Sequence, residues 1–153
     1  MIKVNVIVDN NIWKKNIKNP ENYLKKKIKK IEKNNFFKKI SFELSILLTE
    51  NKKIKKLNNK YRKKDKSTDV LSFPHYQKKE IKNLLKKKLE FYLGDIAINI
   101  QKIDCKKNEQ DVKKKLNILW IHGLLHLMGY RHKTNKDYKK MQSLEKKLLS
   151  FIY

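Results

Sequence analysis

The most constraining feature of this chain is a segment of its C-terminal half that can form a helix with apolar residues on nearly every side. The segment runs from Val112 to Met128, and its apolar side chains crowd together towards its end. They are Leu116, Leu119, Trp120, Leu124 and Leu127. A helix that is apolar all round is buried in the protein interior. The sequence therefore predicts a central helix surrounded by other elements, and Gly129 is a natural place for that helix to end.

Alternating apolar and polar residues predict four β-strands around this helix. They span Ile2–Val8, Ile40–Leu48, Val70–Phe73 and Leu93–Ile98. Further helices are predicted from Pro20 to about Asn34, around Ile54, Leu57 and Tyr61, and from a capping residue at Thr134 to Phe151. The lysine-rich stretch from His75 to Tyr92 is predicted to be a solvated insertion with some helical character.

The length of 153 residues suits one compact domain. Strands that precede and interleave with helices in so short a chain predict an α+β fold with a small mixed four-stranded sheet packed by helices. We therefore expect a single domain over residues 1–153, with the central helix at its core.

The charge of the chain is large and almost all of one sign. Lysine and arginine number 40 against 15 acidic residues, which gives a net charge of +25. A field of this size attracts polyanions, so nucleic acid is the first partner to consider. However, the abundance of Lys, Asn, Ile and Tyr beside only three glycines is also the pattern that AT-rich codons produce. Charge alone therefore supports RNA binding only weakly.

Cysteine content and hydropathy bear on the compartment. Cys105 is the only cysteine, so no intrachain disulfide can form and nothing points to an oxidising compartment. The N-terminal residues lack the pattern of a signal peptide. No apolar run approaches the length of about 18 residues that a membrane span needs. We expect a cytoplasmic protein with no membrane partner.

Three of the four histidines lie in one short segment, His122-Gly-Leu-Leu-His126-Leu-Met-Gly-Tyr-Arg-His132. Positions four apart on a helix share a face, so His122 and His126 can bind one ion. Gly129 can adopt the left-handed conformation that turns the chain back and brings His132 to the same ion. The fourth histidine, His75, is expected to be exposed.

Three imidazoles with one open position are typical of catalytic rather than structural zinc. Such an ion lowers the pKa of its bound water to about 7 and so supplies a nucleophile at neutral pH. We predict one Zn²⁺ per chain, although nickel or iron could occupy the same ligands. The spacing also matches the extended protease motif H-E-x-x-H-x-x-G-x-x-H, but Gly123 stands where that motif carries its general-base Glu. A metalloprotease of that mechanism is therefore disfavoured.

Two further segments precede the histidines. One leads from Asn58-Asn-Lys-Tyr-Arg62 through Asp65-Lys-Ser into Thr68-Asp-Val-Leu-Ser-Phe-Pro74, and the other is Leu93-Gly-Asp-Ile-Ala-Ile98. Together with the histidine segment, and in this order, they resemble the YbeY family, the metal-dependent endoribonucleases and rRNA maturation factors of bacteria. The resemblance covers roughly Asn58 to the C terminus.

This resemblance implies zinc held by His122, His126 and His132 in a single α+β domain. It also implies cytoplasmic action on ribosomal RNA, notably at the 3′ end of 16S rRNA, and in ribosome quality control. Arg62 carries over as the active-site cation. A guanidinium suits phosphodiester chemistry because its fork of donors can hold two phosphate oxygens.

Other residues of the resembling segments are candidates for supporting roles. Thr68, Asp69 and Ser72 are expected to orient the site or cap a turn, and Asp95 to accept a hydrogen bond from a ligand imidazole. The chain departs from the family pattern at Arg131, where the family usually has an acidic residue. A cation there either weakens the metal site or adds a phosphate contact, and the sequence leaves both open.

Three functions follow from these observations. The lead hypothesis is a single-strand endoribonuclease in which metal-bound water or the 2′-hydroxyl of the substrate attacks a phosphodiester. The alternative is a ribosome-assembly factor with a mainly structural metal, which binds rRNA or a ribosomal protein without cleaving. A peptidase is the third, and Gly123 counts against it.

Overall fold

The computed structural model describes residues 1–87, 89–104 and 108–153. Cys105 lies outside the described residues. The elements, in chain order, are β1 (Ile2–Val8), α1 (Asn11–Asn16), α2 (Pro20–Ile31), β2 (Phe42–Thr49), α3 (Asn51–Arg62), β3 (Val70–Pro74), α4 (Lys78–Lys86), β4 (Phe91–Asn99), a 3₁₀ turn (Ile100–Lys102), α5 (Glu109–Leu127) and α6 (Asn135–Ile152). Among the described residues, no helix has both the length and the apolar character needed to cross a bilayer.

The four predicted strands form one mixed sheet in the order β1-β2-β4-β3. β1 and β2 are parallel, as are β2 and β4, whereas β3 runs antiparallel to β4 at the edge. Parallel neighbours need long crossover connections, and helices α1 to α4 lie in those connections. The predicted α+β fold with a small mixed four-stranded sheet is confirmed.

The two faces of the sheet are covered differently. Alternate residues of β2, such as Phe42 and Ile46, are fully buried in the main core, which α2, α5 and α6 close. On the opposite face, Ile54 of α3 packs with Leu71 and Ala97 of the sheet in a smaller apolar cluster. Beyond that cluster, the same face remains partly open to solvent.

The predicted central helix is confirmed by α5. Most of its residues are buried, and it packs against β3, β4 and α6. The side chain of its buried polar residue Asn117 makes hydrogen bonds that also organise the core. Its Nδ2 donates to the Tyr23 hydroxyl at 2.8 Å and to the Tyr153 hydroxyl at 3.3 Å, and its Oδ1 accepts from Trp120 Nε1 at 3.1 Å. Asn117 thereby ties α2 to the central helix.

Helix starts follow the predicted capping chemistry. The side chains of Asn19 and Thr134 each accept a hydrogen bond from a backbone N–H three residues further on. The end of α2 was predicted too late, at Asn34 instead of Ile31. The helix does not continue to Asn34, because the side chain of Asn34 accepts from the backbone N–H of Phe36 and so favours a turn there.

Two helices depend on contacts that local patterns do not reveal. The short helix α1 is anchored by Trp13, which is fully buried and donates from Nε1 to the Thr49 carbonyl at 3.0 Å. Within the stretch predicted as an insertion, α4 forms and is stabilised at its start, where Glu80 accepts from the Gln77 backbone N–H at 2.7 Å. The prediction of some helical character there is thus confirmed.

Candidate metal centre

Two of the three clustered histidines are placed by α5 alone. His122 and His126 are one helical turn apart, both are partly buried, and their ring centroids are 4.5 Å apart. Their Nε2 atoms lie 2.9 Å from each other. Helix geometry therefore aims the two imidazoles at one point, as the spacing predicted.

The other ring nitrogen of each imidazole has an acceptor. His122 Nδ1 lies 2.5 Å from Glu145 Oε1 on α6, and His126 Nδ1 lies 3.0 Å from the carbonyl oxygen of Tyr130. A carbonyl and a carboxylate can only accept, so each Nδ1 carries the proton and each Nε2 keeps a free lone pair. Two lone pairs that face each other repel unless a cation lies between them. This arrangement fits a metal ion.

His132 reaches the same point through the turn after α5. Gly129 has a φ of +84°, and its N–H donates to the His126 carbonyl while that of Tyr130 donates to the Leu125 carbonyl. These are the two hydrogen bonds of a Schellman helix end, which requires a left-handed residue and so favours glycine. The predicted role of Gly129 in ending the helix and reversing the chain is confirmed.

The structure brings the three histidines together. The imidazole of His132 has its centroid 5.1 Å from that of His126 and 5.8 Å from that of His122. One ligand nitrogen from each ring lies within 4.8 Å of those of the other two. The chain thus presents a three-histidine group able to hold a metal ion, while His75 is exposed and packs against Tyr92 instead.

The electrostatics of His126 also suit a metal ligand. The pKa of His126 is lowered to about 4, mainly by burial and in addition by charge repulsion from the neighbouring His122 and His132. The Tyr130 carbonyl acts in the opposite direction but does not compensate. His126 is therefore neutral at physiological pH, the form in which an imidazole binds a metal.

Gly123, which replaces the protease glutamate, faces the sheet. A Cβ at this position would lie 2.8 Å from Ile96 Cγ2 and 3.2 Å from Ser72 Oγ. The carbonyl of Gly123 also accepts a hydrogen bond from Ser72 Oγ at 3.3 Å. This close approach of α5 to β3 and β4 leaves no room for a side chain at position 123. A glutamate there could not act as a general base beside the metal.

A cleft of about 830 Å³ runs past the histidines. It brings together residues of the Asn58–Pro74 segment and of the histidine segment. Its walls carry the three histidines with Tyr61, Arg62, Thr68, Asp69, Val70, Ser72, Phe73, Pro74, Arg131 and Lys133. The structure therefore places Arg62 in the same cleft as the histidines, although many residues separate them in sequence.

Arg62 occupies the last position of α3. The chain then turns at Lys63, whose φ is +56°, and the N–H of Lys64 donates to the Asn58 carbonyl. Buried Asn58 also donates from Nδ2 to the Lys66 carbonyl at 2.8 Å. These bonds fix the end of α3 and the direction of the following loop, and hence the base of the Arg62 side chain.

The loop that follows is held by buried Asn99 at the end of β4. Its Nδ2 lies 2.9 Å from both Ser67 Oγ and the Thr68 carbonyl. Asp69 caps the start of β3, since its Oδ1 accepts from the Val70 N–H at 2.8 Å. Of the two roles considered for Thr68, Asp69 and Ser72, the structure thus supports turn capping for Asp69.

The expected role of Asp95 is wrong. Its carboxylate accepts from the Tyr92 hydroxyl at 2.6 Å and lines a different cavity, on the far face of the sheet. The carboxylate beside a clustered histidine is that of Glu145, which sequence reasoning missed. Its signal was weak: in a chain with few acidic residues, Glu145 directly follows Leu144 on the partly buried side of α6.

Arg131 is exposed and lines the cleft together with Arg62 and Lys133. The Glu145 carboxylate already contacts a clustered histidine, so the site does not depend on an acidic residue at position 131 for that contact. Arg131 instead adds positive charge to the cleft. Charge of this sign and guanidinium geometry favour phosphate groups.

Fold and site together define a class: α+β proteins in which a central helix and the turn after it present a three-histidine group in a cationic cleft. Comparisons with known proteins define it further. The family model described as Endoribonuclease YbeY matches residues 7–153. The chain belongs to the YbeY endoribonuclease family.

Individual relatives agree with this assignment. A Pelagibacter ubique protein named Endoribonuclease YbeY is 40% identical over 154 aligned residues, which cover 99% of this chain and 97% of that protein. A Caldicellulosiruptor bescii protein of the same name is 35% identical over 119 residues, 74% of this chain and 75% of the relative. The solution structure of a Thermotoga maritima protein matches 99% of this chain and 89% of its own with a TM-score of 0.50. At 24% identity, that similarity concerns the fold.

Proposed function

We propose that this chain, acting as one domain over residues 1–153, is a zinc-dependent endoribonuclease of the bacterial cytoplasm. Its substrate is single-stranded RNA, and its role lies in ribosomal RNA maturation, at the 3′ end of 16S rRNA, and in ribosome quality control. The observation that carries the proposal is the shared cleft, in which Arg62 accompanies three convergent histidines. The names of the curated relatives support the reaction class.

His122, His126 and His132 are the proposed ligands of one Zn²⁺. An all-imidazole set suits zinc, and the two free Nε2 lone pairs at 2.9 Å fit a cation. When bound, zinc supplies Lewis acidity and a nucleophile at neutral pH. Glu145 and the Tyr130 carbonyl hold the rings of His122 and His126 in the ligating tautomer.

Arg62 is the proposed catalytic cation. Its guanidinium can hold two non-bridging phosphate oxygens and stabilise the charge that develops on them. Arg131 and Lys133 line the same cleft and favour the flanking phosphates. The net charge of +25 raises the local concentration of a polyanion. RNA is therefore the proposed partner, within the ribosome or its precursor and beside its ribosomal proteins.

The test is cleavage of an rRNA precursor by the purified chain, combined with metal analysis of the same preparation. We expect about one zinc per chain, loss of cleavage with a chelator and recovery when zinc is added back. His126→Ala and Arg62→Ala should lose cleavage, whereas Lys14→Ala, a change at an exposed lysine outside the cleft, should retain it.

Other outcomes of this test are informative. Cleavage that survives removal of the metal would refute the zinc-dependent mechanism. Salt-dependent RNA binding without cleavage would favour the assembly factor with a structural metal. The product ends identify the nucleophile, because attack by the 2′-hydroxyl leaves a 2′,3′-cyclic phosphate and direct attack by water does not.

A further inference from the structure

A second cavity, of about 410 Å³, lies on the partly open face of the sheet. Its walls are mostly apolar and come from all four strands and from α3, with Ile7 and Leu57 among them. Ile7 is 47% exposed. The volume falls within the range of about 300–1,000 Å³ that small-molecule sites occupy. The cavity is therefore large enough for a planar heterocycle.

This cavity adjoins the metal cleft. Tyr61 and Phe73 line both, and their ring centroids are 5.3 Å apart at an angle of 61°. Tyr61 is 58% exposed although it is a large aromatic residue. The next residue, Arg62, lines the cleft. A ligand that places a phosphate at Arg62 can thus place an attached ring against Tyr61.

Polar groups in the cavity match the edge of a nucleobase. The Asp95 carboxylate lines the wall and is oriented by the Tyr92 hydroxyl, which lies 2.6 Å from Asp95 Oδ1 and 2.9 Å from Ser45 Oγ. A carboxylate accepts hydrogen bonds from N–H groups. Among the bases, guanine presents two such donors side by side, whereas uracil presents mostly acceptors.

The surroundings also favour a nucleotide over an apolar partner. Lys60 Nζ lies 5.1 Å from the Tyr61 ring centroid, so positive charge lies beside the exposed ring. Aromatic rings next to a cationic track are the usual arrangement of single-strand nucleic-acid sites. An apolar protein surface would offer no polar partner to Lys60 or to the Asp95 carboxylate.

We propose that this second cavity binds one unpaired nucleobase of the RNA, stacked on Tyr61 and preferably guanine, while Arg62 holds the adjoining phosphate in the metal cleft. The proposal rests on the proposed function for the identity of the substrate. It adds a specificity site: bases with N–H donors on the exposed edge are favoured by Asp95.

The experiment measures binding separately from cleavage. The zinc-loaded full chain is titrated with fluorescent single-stranded 2′-O-methyl oligonucleotides whose integrity is checked on a gel. The probes carry uridine throughout, with one guanosine or one abasic nucleotide moved along the chain. We expect guanosine to strengthen binding at one register, and an abasic nucleotide at that register to weaken it about 5–150-fold, the range that stacking of one base supports.

Variants of the residues that line the cavity test whether the cavity causes the base-dependent binding. Tyr61→Leu should lose a similar factor and become insensitive to the abasic nucleotide, whereas Tyr61→Phe should bind like the wild type. Asp95→Asn should lose the preference for guanosine over uridine but keep the loss caused by the abasic nucleotide. Tyr138→Leu is the matched control, because Tyr138 is 53% exposed and lines neither cavity.

The results separate this proposal from the proposed function. Wild-type binding by Tyr61→Leu, with weakened binding by Arg62→Ala, would overturn the base site even if cleavage is normal. If Tyr61→Leu instead loses binding to intact small ribosomal subunits but not to the oligonucleotides, the cavity does not bind an unpaired base and the proposal is wrong. Base-dependent binding without any cleavage would support the base site and overturn the nuclease.

Discussion

His122 Nδ1 lies 2.5 Å from Glu145 Oε1, a contact that joins the central helix α5 to the last helix α6 across 23 positions of sequence. The side chains are 30% and 21% exposed, so water competes little for either partner. The carboxylate keeps the Nδ1 proton in place and leaves Nε2 free for a metal. Glu145 is therefore a positioning residue for the three-histidine group.

Glu145→Gln should weaken zinc binding by about 10–100-fold, as is typical when an outer partner of a ligand imidazole is lost. The physical reason is that a neutral amide neither orients the ring as firmly nor raises its basicity. Competition with a chromogenic chelator measures the affinity. Glu90→Gln, at an exposed carboxylate that pairs with Lys3, is the control and should leave it unchanged.

Gly123→Ala should lower the free energy of unfolding by about 1–3 kcal/mol, the usual cost of overpacking a core. The added Cβ would meet Ile96 Cγ2 at 2.8 Å. Urea denaturation measures the change, and Ile118→Ala, at a 42% exposed position of the same helix, is the comparison. Gly123→Glu, which completes the protease motif, should prevent folding. A folded, peptide-cleaving Gly123→Glu variant would contradict the packing argument.

Asn117→Ala should also lower the free energy of unfolding, by about 1–3 kcal/mol, because it leaves Trp120 Nε1 without its acceptor in the core. The Tyr23 hydroxyl loses its 2.8 Å donor at the same time. Thermal and urea denaturation measure the loss. Asn22→Ala, on the more exposed side of α2, should be close to wild type. Zinc affinity should stay unchanged, since neither contact involves the histidines.

The stability of the metal-free protein should fall as the pH is lowered from about 6.5 to about 4. The folded state lowers the pKa of His126 from its ordinary value of 6.5 to about 4, mainly through burial. Between these values the unfolded chain binds more protons, so stability is complete above 6.5 and is lost towards 4. Denaturation of His126→Gln across this range should show a shallower pH dependence. Equal slopes would show that His126 is not responsible.

Arg131→Ala should weaken RNA binding and reduce the salt dependence of that binding by about one phosphate contact. The reason is that Arg131 lines the cleft together with Arg62. The His122 imidazole is held by Glu145 and does not depend on Arg131. Zinc affinity should be unaffected. If zinc affinity rises instead, the other alternative left open by the sequence is correct, and Arg131 weakens the metal site. RNA titrations at several salt concentrations and a chelator competition provide the two measurements.

Much of the fold was predictable because it depends on local periodicity. Period-two alternation in β1 and β2 and the apolar surface of α5 depend on neighbours in sequence, and both predictions are confirmed. The ends of the elements were predicted less accurately. The predicted end of α2 at Asn34 is an example, because the Asn34 side chain competes with helix carbonyls for the backbone N–H of Phe36. The short helix α1 escaped prediction because the burial of Trp13 stabilises it.

The three histidines of the segment from His122 to His132 were identified by sequence alone, because a helical turn and a glycine at the helix end place them by local geometry. Only the tertiary structure decided what surrounds them. It brought Glu145 to His122, turned Gly123 towards Ile96 and moved Asp95 to the opposite face of the sheet. These relationships join distant parts of the chain, and they depend on how α5, α6 and the sheet pack, which no local spacing encodes.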